Sequence, residues 1–64
     1  MKASELKEKS DKELVELERQ LRDELFRMRM KHYSGQLQDV AQMRNTRRDI
    51  ARILTVRTQR SKSN

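Results

Sequence analysis

Sixty-four residues, 33% of them apolar and 41% charged, leave room for one small domain with a modest core. The absence of cysteine excludes a disulfide framework and a single histidine makes a metal staple a poor expectation, so a bound partner is the expected source of added stability. No apolar run approaches the roughly 18 residues of a spanning helix, and Met1 to Glu5 lead into charge and not into a signal-peptide core; a soluble, cytoplasmic protein is expected. The net charge of +6 is unevenly placed. Residues 1–32 hold nine Lys/Arg against eight Asp/Glu, whereas residues 33–64 hold seven against two, and all seven except Lys62 are arginine. That asymmetry points to an anionic partner met by the C-terminal half, gripped by planar forks that suit phosphate oxygens.

In chain order, a short turn is expected around Ser4 to Lys7. Ser10-Asp11-Lys12-Glu13 then reads as a capping box: the Ser10 hydroxyl accepts from the Glu13 N–H, and the Glu13 carboxylate reaches back to Ser10. From there Leu14, Leu17, Leu21, Leu25 and Met28 recur at steps of three and four, with Val15 and Phe26 widening the stripe. Glu18 with Arg22 and Asp23 with Arg27 are four-apart pairs that support the same helix. Helix one is predicted over 10–33, with Tyr33 capping the hairpin and Met30 off the stripe as either core or contact residue. His32 is a helix-end residue, since one histidine builds neither a metal site nor a catalytic triad. Gly35 takes a left-handed cap without strain, and 34–38 form the loop.

Asp39-Val40-Ala41-Gln42 is a second capping box opening helix two, predicted over 39–60, with a polar, frayed tail at 61–64. Its apolar positions are Val40, Met43, Ile50, Ile53 and Leu54, with Thr46 near the seam. A short connection between two long helices implies antiparallel neighbours. The expected fold is all-α, a single helical-hairpin domain over 1–64, held by Leu14, Leu17, Leu21, Leu25 and Met28 against Met43, Ile50 and Leu54.

At about 100° per residue, taking Arg44 as the origin, Met43, Thr46, Ile50, Ile53 and Leu54 fall between about 180° and about 280°. Arg44, Arg48 and Arg52 then stand at about 0°, about 40° and about 80°, and Arg47 lies on the border at about 300°. The arginines thus line the face opposite the seam, interleaved with Ala41, Ala51, Thr55 and Gln59, and no acid is expected to neutralise the row. Residues four apart rise about 6 Å, close to the step between successive phosphates along a nucleic-acid strand. Backbone contact to RNA fits this better than base reading, and the scarcity of aromatic residues argues against a single-strand reader. The candidate RNA-binding residues are Arg44, Arg47, Arg48 and Arg52, with Lys31, Arg57, Arg60 and Lys62 as weaker ones. A bare solvated basic face is the bland alternative.

Catalysis has little support: there is no cysteine nucleophile, no glycine-rich phosphate loop and no H-E-x-x-H motif, and no cofactor or small-molecule substrate is expected. A small chorismate-mutase-like dimer would need inward arginines, and a helix-turn-helix DNA reader would need a third helix. A hairpin or coiled-coil interaction module that dimerises through its Leu/Met seam is the main alternative.

Four stretches in order resemble the bacterial form of the large-subunit ribosomal protein family numbered twenty-nine: Met1-Lys2-Ala3-Ser4-Glu5-Leu6, Phe26-Arg27-Met28-Arg29-Met30, Ser34-Gly35-Gln36-Leu37, and Arg47-Arg48-Asp49-Ile50-Ala51-Arg52-Ile53 followed by Thr55. Together they span essentially the whole chain. The signature arginines are Arg47, Arg48 and Arg52, and Arg44 is added by the helical wheel alone. Asp39 to Gln42 depart from the family pattern, which more often has Ser, Asn or His there. The resemblance implies a non-enzymatic two-helix hairpin bound to large-subunit ribosomal RNA near the exit of the nascent-peptide tunnel. It also implies a neighbour, the large-subunit protein numbered twenty-three, and targeting or chaperone factors docking nearby.

Overall fold

Apolar residues three and four apart on two segments can be buried only by laying one segment along the other, and this is the arrangement found. The structure, a computed structural model, describes residues 2–35 and 40–62. Three helices follow one another: α1 (Ala3–Lys7), α2 (Asp11–Tyr33) and α3 (Val40–Lys62). The described residues contain no strand. The rod measures 45 × 17 × 16 Å, and each of its two 23-residue helices, at about 1.5 Å per residue, spans about 35 Å of that length. Cross-helix contacts run from Thr46 with Met28, through Arg57 with Glu18, to Arg60 with Asp11, which makes α2 and α3 antiparallel.

The start of α2 is the expected capping box. Ser10 Oγ accepts from the Glu13 N–H at 3.2 Å, and the Glu13 carboxylate accepts from the Ser10 N–H at 3.1 Å. Ser10 is the cap and Asp11 the first helical residue. At the other end Gly35 stands at φ 81° and its N–H donates to the His32 carbonyl at 3.0 Å. Nothing lies within 4 Å of where a Cβ would be, so the backbone angle alone calls for glycine there. The expected capping box at Asp39 and the remainder of the loop, 36–38, lie outside the described residues, as do 63–64. Ser61 and Lys62, expected in a frayed tail, continue α3.

Several expectations are corrected. The turn expected at Ser4 to Lys7 is the helix α1. Five residues cannot hold a helix in water on their own, and this one is anchored by Leu6, which is fully buried against Leu14, Ile53 and Val56. Arg60 completes the anchor: its Nη2 donates to the carbonyls of Lys7 and Lys9 at 2.9 and 2.6 Å, while its Nη1 pairs with Asp11 at 2.7 Å.

The seam of α3 is also rolled relative to expectation. Met43, Thr46 and Ile50 face α2, but towards the C-terminal end burial passes to Ile53 and Val56, and Leu54 is left 38% exposed. The cause is α1, which lies against the side of α3 away from Leu54 and draws the core towards Val56. Val15 and Phe26, expected to widen the stripe of α2, are exposed as well. Leu17 and Leu21 pack half-buried against the core, and the buried Thr46 hydroxyl is satisfied by the Gln42 carbonyl at 3.0 Å.

Leu6→Ala is expected to cost about 2 to 5 kcal/mol, whereas Leu54→Gln is expected to stay within about 0.5 kcal/mol. Thermal unfolding followed by circular dichroism measures both, and equal losses would contradict the rolled core.

Candidate nucleic-acid interface

Because α3 carries most of the excess positive charge, what separates a contact surface from a structural one is which guanidinium groups are already engaged. Three of the candidate arginines are. Arg57 donates to Glu18 at 2.7 Å across the α2–α3 junction, and Arg60 is committed to Asp11 and the two carbonyls of the α1–α2 connection. Arg52 Nη1 pairs with Asp49 at 2.9 Å on its own helix. Asp49, which the wheel sets off the row at about 140° where it can face water or pair locally, pairs with Arg52 one turn on, so the expectation that no acid neutralises the row fails at this one position. The helical wheel carries the signal for Arg57, which falls at about 220°, inside the seam sector.

Arg44, Arg47 and Arg48 are different. All three are exposed, none has an ion-pair or hydrogen-bond partner among the described residues, and together with Ala51 they line one shallow depression on α3. With three arginines set around one small, apolar residue, a group carrying negative oxygens can approach the helix closely. Lys31 and Lys62, also exposed, stand in the last turns of α2 and α3 and hence at opposite ends of the rod.

Glu18 organises the junction. Its side chain is 16% exposed and accepts from both Arg22, at 2.9 Å, and Arg57. Partial burial pushes its carboxyl up, but the hydrogen bonds from Arg22 and Arg57 and their charges outweigh that and hold it below its ordinary value of 4.5. Glu13 is lowered too, by the backbone and hydroxyl bonds from Ser10.

A second surface is absent from the sequence-based expectations. On α2, Val15, Phe26, Met30 and Tyr33 lie within about 60° of one another around the helix, and Phe26 is 59% and Tyr33 76% exposed. Phe26, expected at the seam or its edge, and Tyr33, expected to cap the hairpin, both point outward, as does Met30. Arg19, Arg22 and Arg29 share or border that sector, which gives a mixed apolar and basic face of the composition common at protein interfaces. The wheel of helix one holds this signal, as an apolar group set apart from the leucine stripe.

Among the described residues no helix is long and apolar enough to cross a membrane, and no group of three His, Cys, Asp or Glu could hold a metal.

Comparison with known proteins decides the family. The profile of the ribosomal L29 protein family matches residues 4–60, nearly the whole chain. The chain belongs to this family. The large ribosomal subunit protein uL29 of Carboxydothermus hydrogenoformans is 50% identical over 56 residues, covering 88% of this chain and 81% of its own length. The same-named protein of Sorangium cellulosum is 41% identical over 63 residues, covering 98% and 94%, and that of Nitratiruptor sp. is 53% identical over 55 residues, covering 86% of each. Membership in the L29 family supports the reading of a structural ribosomal protein and not an enzyme, and the hairpin is the fold the resemblance implied.

Since the folded value for Glu18 lies below 4.5, its ionised form stabilises the fold above that pH, and the contribution is lost as pH falls through the folded value. Melting temperature should therefore drop on acidification below about 4.5, and Glu18→Gln should flatten the drop without abolishing it, because Glu13 acts in the same direction. Arg57→Ala should cost at most about 1 kcal/mol, given its partial exposure, while Arg48→Ala should leave melting unchanged; calorimetry distinguishes the two.

Proposed function

We propose that the chain is a constituent of the large ribosomal subunit that binds ribosomal RNA through Arg44, Arg47 and Arg48 of α3. The observation that carries this reading is that these three exposed arginines line one depression around Ala51 with no acid among the described residues to neutralise them. Elsewhere the fold engages Arg52, Arg57 and Arg60 with carboxylates. Arginine on a helix spaced like phosphates along a strand favours the RNA backbone as ligand and does not specify sequence. Arg52, already shared with Asp49, joins the row at its edge, and Lys31 and Lys62 extend the positive potential towards both ends. Arg57 and Arg60 are assigned to holding the hairpin.

The relatives' name as large-subunit proteins supports a ribosomal location, cytoplasmic in a bacterium. The family resemblance alone supports a place near the tunnel exit, contact with the neighbouring protein numbered twenty-three and exposure to targeting or chaperone factors. The outward face of α2, with Phe26, Met30 and Tyr33, is the surface suited to such a protein neighbour. The alternative of a dimer joined through the Leu/Met seam is disfavoured, because that seam is closed within one chain.

Sedimentation of cell lysate with magnesium should place the chain with large ribosomal subunits. Migration as a free protein under those conditions would rule the reading out. In vitro, Arg48→Ala should lower affinity for large-subunit RNA and reduce the salt slope by about one unit; a slope equal to that of the parent protein would remove Arg48 from the contact set.

A further inference from the structure

Ala51 lines two depressions and not one. The first is the arginine site with Arg44, Arg47 and Arg48; the second lies between α1 and α3 and is lined by Ala3, Lys7, Arg52 and Thr55, among others. The two depressions adjoin at Ala51, one following the other along α3 as a shallow trough. From Arg44 to Gln59, at the far end of the second depression, the helix rises about 22 Å, a length that takes a run of about four phosphates.

The lining of the trough indicates which part of a nucleic acid fits. Small side chains line it, Ala51, Ala3 and Thr55, with the buried Val56 beneath and Gln59 at the far end; the Thr55 hydroxyl donates to the Ala51 carbonyl, Oγ1 to oxygen 2.9 Å. Its walls are cationic, with Arg44, Arg47 and Arg48 at one end and Lys7 and Arg52 at the other. No aromatic side chain lines it, so nothing is present for unstacked bases to lie on. A backbone with its bases paired away from the protein meets these conditions, as in a duplex of A form.

Lys7 is the residue this assignment adds. It is exposed, and its ammonium has no partner among the described residues. It reaches the trough only because α1 is folded onto α3, which depends on the burial of Leu6 and on the grip of Arg60 on the Lys7 and Lys9 carbonyls. Arg60, engaged within the chain, is thus a positioning residue for Lys7.

We propose that a ribose–phosphate backbone of duplex RNA lies in this trough, closest to the protein at Ala51, with Lys7 of α1 as a phosphate ligand at the far end. This rests on the RNA-binding reading above. The test uses the full chain and a transcribed bacterial large-subunit ribosomal RNA, with affinity measured across a salt series. Lys7→Gln should reduce the salt slope by about one unit and weaken binding by roughly three- to tenfold. Ala51→Leu, at an exposed helical position, should leave melting unchanged and weaken binding by tenfold or more with the salt slope intact, since it obstructs approach and removes no charge. Lys12→Gln, on α2 and outside the trough, is the control and should bind as the parent does.

If the parent chain fails to bind the RNA, the RNA-binding reading falls and this one with it. If Arg48→Ala weakens binding while Lys7→Gln and Ala51→Leu bind as the parent does, the RNA-binding reading stands and the trough is overturned. Loss of slope in Lys7→Gln with a neutral Ala51→Leu also overturns it, because the backbone would then pass Lys7 without entering.

Discussion

The contact of Leu6 and Leu14 with Ile53 and Val56 is the one on which the rest depends. A hairpin is joined covalently at its turn, so the helices are held together there whatever their side chains do. The open end has no such tether, and this chain has no disulfide or metal cluster among its described residues to provide one. The fully buried residues Leu6, Leu14 and Ile53 lie together at that open end, where separation of the helices has to be resisted. Arg57 with Glu18 and Arg60 with Asp11 reinforce the same end from its rim. Each such pair alone is worth little in water; flanking an apolar cluster, they also limit the angle at which the helices cross.

One residue type therefore serves two purposes on one helix, separated by position along it. Arg57 and Arg60, beside the open-end core, find carboxylates and carbonyls on α2 and the α1–α2 connection. Arg44, Arg47 and Arg48, on the half nearer the turn, find none among the described residues. The division follows from where acids are available: Asp11 and Glu18 lie in the first half of α2, opposite the last half of α3 in an antiparallel pair. Of the two acids in the other half, Asp23 is taken by Arg27 on its own helix at 3.0 Å, and Glu24 pairs with no arginine of α3. The interior of the rod is thus neutralised at one end, and the outer face of α3 keeps its charge at the other.

Much of this is legible in the sequence where the governing interaction is local. Ser10 and Glu13 are three apart, and a capping box needs nothing else; Gly35 answers to a backbone angle; the steps of three and four from Leu14 to Met28 define a stripe before any partner is known. The positions that escape such reasoning are those whose fate depends on a distant segment. Val56 is buried, and Leu54 half-open, only because α1 lies against α3, and α1 is too short to announce itself by periodicity. Arg57 is readable on the same wheel that places Arg48, but its direction acquires meaning only when the acids across the seam are counted with the bases. Lys7 has no local signal at all, since its place beside α3 is set by Leu6 and Arg60.

The grip of Arg60 on α1 is made to main-chain oxygens, at Lys7 and Lys9, and not to their side chains. Any residue but a backbone-distorting one offers the same carbonyl. The attachment of the N-terminal segment is thereby uncoupled from the chemistry it displays, so positions 7 and 9 can change sign, length or polarity while the helix remains docked. The segment works as an interchangeable fitting on a fixed mount, and of all parts of the rod it is the one whose outward character can be altered at least cost to the fold.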